Sequence, residues 1–247
     1  MLQEPFAFGN SFVHQLDPRL RLISACVYST VVALSRSFHV LTAAALISFL
    51  WVVLAQLPVR DIVKRIIVLN SFNVLLWIVL PLTFQGPIML ALGPLTIYKA
   101  GLVMAVQITL KSNAILLMIM ALVTTMNLAV LGHALNWCHV PDKIVHLLLV
   151  TYRYVFLIEQ EYQRLMRAAR LRGFRPGTNL HAYKTYASIV GMLFIRSAVR
   201  ADRVQKAMLC RGFKHQFYCL HEFSTGIHEW IFASAMAGII IVLIYFE

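Results

Sequence analysis

Acidic side chains are scarce in this chain: 10 Asp and Glu stand against 22 Lys and Arg in 247 residues. Chemistry that needs a carboxylate pair, or carboxylates around a metal, has little to draw on. The long apolar runs hold no carboxylate, which argues against the proton relays of pumps and of most stand-alone transporters. There is no Gly-x-x-x-x-Gly-Lys-Ser/Thr stretch, so the chain lacks the loop that cradles a nucleotide's phosphates. The 4 cysteines, Cys26, Cys138, Cys210 and Cys219, show neither Cys-x-x-Cys nor zinc-type spacing and read as free thiols. His133, His139 and His146 are spaced by six and seven, which does not bring all three to one metal on a regular helix. No catalytic residue, cofactor or metal site is therefore expected. The start of the chain has no basic region, apolar core and small-residue cleavage site in series, so no removable signal peptide is expected.

Apolar residues are abundant. The chain is 60% hydrophobic and 13% charged, with a mean hydropathy of +0.75, far too apolar for an ordinary soluble domain of this size. The composition predicts an all-α, polytopic membrane protein with about five membrane helices. Of the net charge of +12, a surplus of ten lies between Asp142 and Lys214. The positive-inside rule assigns that region to the cytoplasm. Such a surface suits anionic lipid, an acidic protein groove or nucleic acid.

In chain order, Asp17 and Pro18 stand where an N-cap and first helical residue belong. Apolar runs follow from Leu20 to Leu34 and from Val40 to Gln56, the first extended by snorkelling of Arg21 and Arg36. Pro58 ends the second, and Arg60, Lys64 and Arg65 form a basic loop. A third span from Ile66 to Phe84 carries Asn70 and Asn73, whose amides are expected to hydrogen-bond to a neighbouring helix. Gly86, Pro87, Gly93 and Pro94 mark an external turn over Gln85 to Leu95. The run from Ile97 to Val123 contains Lys111, an intramembrane cation that either serves a function or kinks the helix, pairs internally or snorkels. Met126 to Val140 reads as a shorter helix near the surface, and Trp230 to Phe246 as the last span.

The remaining stretch is a doubled unit. A helical rod starting at Pro141 and Asp142 ends at Arg172-Gly173-Phe174, where glycine stops it and Pro176 forbids resumption. A second rod, from about His181, ends at Arg211-Gly212-Phe213. Counting back from the triplets, Arg164 falls on Arg203, Leu165 on Val204, Arg167 on Lys206 and Ala168 on Ala207. The short repeat means one structural unit used twice. Each rod begins apolar and ends charged, and the two either cross as an X or pack antiparallel. On the second, Ala201, Val204, Ala207 and Met208 form an apolar stripe suited to another helix, and Asp202 and Lys206 sit at a favourable i,i+4 spacing. Arginine suits a docking tip, because its planar fork makes several directed hydrogen bonds and stays charged when desolvated.

Leu16-Asp17-Pro18-Arg19, Thr151-Tyr152-Arg153-Tyr154, Ala169 to Phe174 and Ala207 to Phe213 together resemble the transmembrane T component of energy-coupling factor (ECF) transporters, closest in length and layout to the cobalt/nickel branch. The resemblance implies two long cytoplasmic coupling helices whose ends dock into grooves of two ABC-type ATPases. It implies that the same helices support a separate substrate-binding membrane subunit, in the bilayer of the cell's inner (plasma) membrane, with no nucleic acid involved. The docking motifs, most often Ala-Arg-Gly in that family, become Leu171-Arg172-Gly173 and Cys210-Arg211-Gly212 here, both lacking the alanine. The corresponding division of the chain is 1–126 for the N-terminal membrane helices, 127–226 for the coupling region and 227–247 for the C-terminal span. The chain is then a non-catalytic subunit, serving cobalt or nickel uptake, or a vitamin-binding subunit. The rival readings are a stand-alone secondary transporter and a membrane enzyme acting on lipid headgroups.

Overall fold

The computed structural model describes residues 13, 16–83, 88–92, 95–213 and 226–247. Eight helices lie among them: α1 (Pro18–Leu34), α2 (Phe38–Leu54), α3 (Val59–Thr83), α4 (Lys99–Leu122), α5 (Leu128–Trp137), α6 (Asp142–Leu171), α7 (Leu180–Cys210) and α8 (Ile227–Tyr245). The all-α class holds, with one addition. In the stretch expected to be only a turn, β1 (Ile88–Leu92) and β2 (Leu95–Tyr98) form an antiparallel hairpin, pairing Leu92 with Leu95 and Ile88 with Tyr98 around an irregularity near Leu90. Ladder pairing satisfies backbone groups that an apolar open loop would leave bare. Gly86, Pro87, Gly93, Pro94 and Cys219 lie outside the described residues.

The contacts divide the chain into two units, Glu4–Ala134 with Glu222–Glu247, and Leu135–His221. In the first, α4 is the central helix and packs on α1, α2 and α3, while α8 packs on α1. α3 and α4 are long and apolar enough to cross a membrane; Phe38–Leu54 and Glu229–Tyr245 are shorter apolar helices. At about 1.5 Å per residue, the 17 residues of α2 still reach about 26 Å, close to a hydrocarbon core. α3 leaves Val68, Phe72, Leu75 and Ile78 exposed, a surface that water disfavours and lipid solvates.

The helix starts follow local rules. The Asp17 carboxylate accepts from Arg19 N at 2.9 Å and caps α1, with Pro18 in its first turn, as expected. α3 departs from expectation: it begins at Val59, so Arg60, Lys64 and Arg65 belong to its first two turns and not to a loop. Pro58 lacks only an N–H that a helix start leaves unused, and Asp61 favours the positive end of the helix dipole. Arg21 does not snorkel. It is buried and donates through Nη1 to Thr125 Oγ1 at 3.1 Å, because that hydroxyl beyond α4 supplies an acceptor inside the bundle.

Inside this bundle the polar side chains pair across helices. Asn73 Nδ2 donates to Ser112 Oγ at 3.0 Å and Asn113 Nδ2 to Asn70 Oδ1 at 3.2 Å, so the amides of α3 meet α4 as the sequence predicts. Lys111 resolves to internal pairing, with Nζ donating to Ala33 O at 2.8 Å while α4 runs through it unbroken. Tyr28 OH bonds Ala44 O at 2.7 Å and shares a 2.8 Å hydrogen bond with Ser48, fixing α1 on α2. Trp51 and Phe232 stack edge to face at 5.2 Å and join α2 to α8. Gly101 lets α4 approach α3 closely: a Cβ there would lie 2.7 Å from Pro81 Cα and 2.8 Å from the Leu80 carbonyl carbon.

Candidate functional site

The two Arg-Gly-Phe triplets fold into the same helix cap. At the end of α6, Gly173 N donates to Arg170 O at 3.0 Å and Phe174 N to Ala169 O at 3.1 Å. At the end of α7, Gly212 N donates to Leu209 O at 3.0 Å and Phe213 N to Met208 O at 3.1 Å. These are the paired bonds of a Schellman cap, which requires a left-handed residue after the last helical one. Gly173 has φ +88° and Gly212 φ +75°, a conformation that an L side chain adopts only with strain. The arginine is the C-cap residue each time, Arg172 and Arg211, and both side chains are exposed. A glycine that reverses the backbone behind an arginine leaves the guanidinium at the extreme end of the rod.

Phenylalanine anchors both caps. Phe174 is buried with Met166, Ala182 and Ile189 and meets Tyr186 edge to face at 5.4 Å. Phe213 is half-buried, its ring 5.5 Å from that of His146. Together these contacts make α6 and α7 an antiparallel hairpin, deciding between the two arrangements open to the sequence. Arg211 therefore lies beside the start of α6. At roughly 1.5 Å of rise per residue, the stretch from His146 to Arg172 sets the two tips about 39 Å apart.

Midway along the hairpin an ion pair bridges the helices. Arg196 of α7 donates to the Glu161 carboxylate of α6, and Arg164 reaches the same carboxylate at 3.7 Å. The hydrogen bond from Arg196 holds the Glu161 carboxyl below the usual carboxylate range, helped by the charges of Arg196, Arg164 and Arg200. The rods are thus clasped near their centre, while Arg172 and Arg211 stand exposed at their ends.

The profile of CbiQ, cobalt transport protein, matches residues 9–219. The chain belongs to the CbiQ family. Its relatives include the energy-coupling factor transporter transmembrane protein EcfT of Leuconostoc gelidum subsp. gasicomitatum, 29% identical over 222 residues that cover 85% of this chain and 82% of the relative. EcfT of Bacillus subtilis is 26% identical, with 83% and 82% covered, and that of Acidaminococcus fermentans 26%, with 96% and 91%. Family and relatives establish the resemblance drawn from the motifs: this CbiQ-family chain is a membrane T component of the energy-coupling factor type.

Of the motif residues singled out in this CbiQ-family chain, Leu171, Arg172 and Gly173 stand exposed at one end of the hairpin and Cys210, Arg211 and Gly212 at the other. Leu171 is 89% exposed. Cys210 is an exposed free thiol, in keeping with its reading, as is Cys26. The Asp202–Lys206 pair forms at 2.7 Å. Val204 and Met208 are half-buried along a groove against α6 that the exposed Ala201 also lines, whereas Ala207, expected on the same stripe, is exposed and outside it. The sequence reading missed the Glu161–Arg196 clasp. Its only trace was an acidic residue in a strongly basic stretch, and pairing it required knowing the antiparallel register.

Proposed function

We propose that this chain is the coupling subunit of an ECF-type importer in the inner (plasma) membrane. It transmits ATP-driven motion from two ABC-type ATPase subunits to a substrate-binding membrane subunit. The single observation that carries the reading is the duplication of one cap, Arg-Gly-Phe with a left-handed glycine, at opposite ends of one helix hairpin. Two like partners are met by two like tips. In this reading Leu171, Arg172, Gly173, Cys210, Arg211 and Gly212 form the ATPase-coupling surface. The coupling region, 127–226, is cytoplasmic by its surplus of positive charge, and 1–126 and 227–247 supply the membrane helices. The chain itself catalyses nothing; closure of the ATPases moves the tips, and the hairpin tilts or releases the subunit packed against it. The cargo we infer is cobalt or nickel, of which the matched family's description names cobalt, while a vitamin is the alternative cargo, since the relatives' names specify none.

The test is Arg172→Glu combined with Arg211→Glu. Truncating one partner of a buried charge pair costs about 2–5 kcal/mol. Reversal at both tips is therefore expected to abolish co-purification of the ATPases and ATP-driven uptake, with membrane insertion intact. Unchanged co-purification and uptake would remove the reading.

A further inference from the structure

Between α6 and α7 runs a groove of about 440 Å³ that the docking tips do not use. Its walls are apolar, with Val150, Tyr154 and Leu157 on one side and Ala201, Val204 and Met208 on the other. One end is closed by His146 and Phe213, the other by Glu161, Arg196 and Arg200. Three guanidiniums, those of Arg164, Arg196 and Arg200, act on the single Glu161 carboxylate, so this end carries surplus positive charge. Arg200 is half-buried and has neither a hydrogen bond nor an ion pair of its own among the described residues. A shallower depression shares Arg196 and Arg200 and continues to Arg203. Phe194, Ile195 and Val199 stand exposed beside them, and a basic helix with exposed apolar side chains is the kind that beds into a headgroup layer.

We propose that the groove holds one acyl chain of an anionic phospholipid, with its phosphate on Arg196 and Arg200. Length suits a lipid chain: from His146 to Glu161 the groove follows α6 for about 22 Å, at roughly 1.5 Å per residue, a span that one extended acyl chain can line. Charge selects an anionic lipid, because arginine's planar fork matches a phosphate in bidentate geometry and the carboxylate present leaves guanidinium donors over. Position within the fold adds a third argument: the charged end and the apolar walls belong to one continuous slot, as an amphiphile requires. The proposal depends on the membrane assignment and not on the ATPase reading.

The full-length chain is reconstituted in phosphatidylcholine bilayers carrying a trace of phosphatidylglycerol with a photoreactive group in its acyl chain, alone and with its partner subunits. Cross-linked peptides are then mapped by mass spectrometry. Labels are expected on the segments around Leu157 and Val204, several-fold stronger than with a phosphatidylcholine probe of the same tail. Arg200→Gln, which leaves the Glu161–Arg196 pair in place, lowers the anionic probe to the phosphatidylcholine level. Ala201→Trp fills the slot and abolishes both, and Val204→Phe repeats that test should the tryptophan variant not fold. ATPase co-purification stays as in the unmodified chain, which separates this result from failure of the coupling reading. Equal labelling by the two lipids, labels confined to the other helices, loss of label to inorganic phosphate, or loss of label when the membrane partner assembles would each overturn the proposal. The last outcome would assign the groove to a protein helix instead.

Discussion

Glu161 and Arg196, 35 positions apart in the chain, are joined carboxylate to guanidinium across the α6–α7 hairpin. The pair sets how the hairpin answers pH. A carboxylate whose folded pKa is depressed contributes its stability at and above the ordinary carboxylate range and loses it as pH falls through the depressed value. The clasp is therefore expected to survive mild acid, near the ordinary glutamate pKa of about 4.3, and to open only below it. Spin labels at the exposed positions Gln163 and Ala198 report the separation. In Glu161→Gln the acid-driven opening should vanish and the distance broaden at neutral pH; an unaltered pH profile would show that the clasp does not govern the hairpin.

The glycine caps make a separate prediction. No atom lies within 4 Å of a Cβ added at Gly173 or Gly212, so alanine there meets no clash and its cost is conformational alone. Placing a side chain in the left-handed region costs roughly 1–2 kcal/mol, and asparagine tolerates it better. Gly173→Ala and Gly212→Ala should each speed hydrogen exchange of the last-turn amides, with asparagine variants in between. Equal protection in alanine and glycine forms would mean that the caps do not depend on the reversed backbone.

Gly101 offers the steric counterpart. Its missing Cβ is occupied by the backbone of Leu80 and Pro81, and backbone cannot rotate away. Gly101→Ala is expected to destabilise by about 1–3 kcal/mol, the usual range for overpacking. Gly238→Ala, with nothing within 4 Å, is the control and should be neutral or stabilising. The two midpoints of thermal unfolding in detergent should separate clearly. A Gly101→Ala midpoint no lower than that of Gly238→Ala would refute the close approach of α4 to α3.

Asn73→Ala tests the polar seam of the same helix pair. Interhelical hydrogen bonds in membranes average about 0.6 kcal/mol and reach about 1.7. A double-mutant cycle with Ser112→Ala should return a coupling energy in that range. A coupling indistinguishable from zero would leave the 3.0 Å bond between them without energetic weight.

Sequence reading reached the rods and their tips because glycine after a basic helix, with proline close behind, is a strong local stop. It also found the partners of Asn70 and Asn73 in kind, since amides in lipid must pair somewhere. Residues governed by tertiary context were less legible. Arg21 reads as a snorkelling cation until Thr125 is known to lie beside it. The start of α3 was hidden because Arg60, Lys64 and Arg65 look like a loop by charge yet are good helix formers by propensity. The groove and its clasp depend on register between two helices, which periodicity within either one does not encode.

The repeated cap has a further consequence, which concerns direction. α6 has 30 residues and α7 has 31, each with its arginine in the position just after the last helical one. On an α-helix the azimuth of a terminal side chain is tied to residue count, turning about 100° for each residue inserted. Helix length here is therefore an angular setting as well as a reach. One residue added to either rod would swing its guanidinium by more than a quarter turn, whereas seven would nearly restore its bearing and move it outward by about 10 Å.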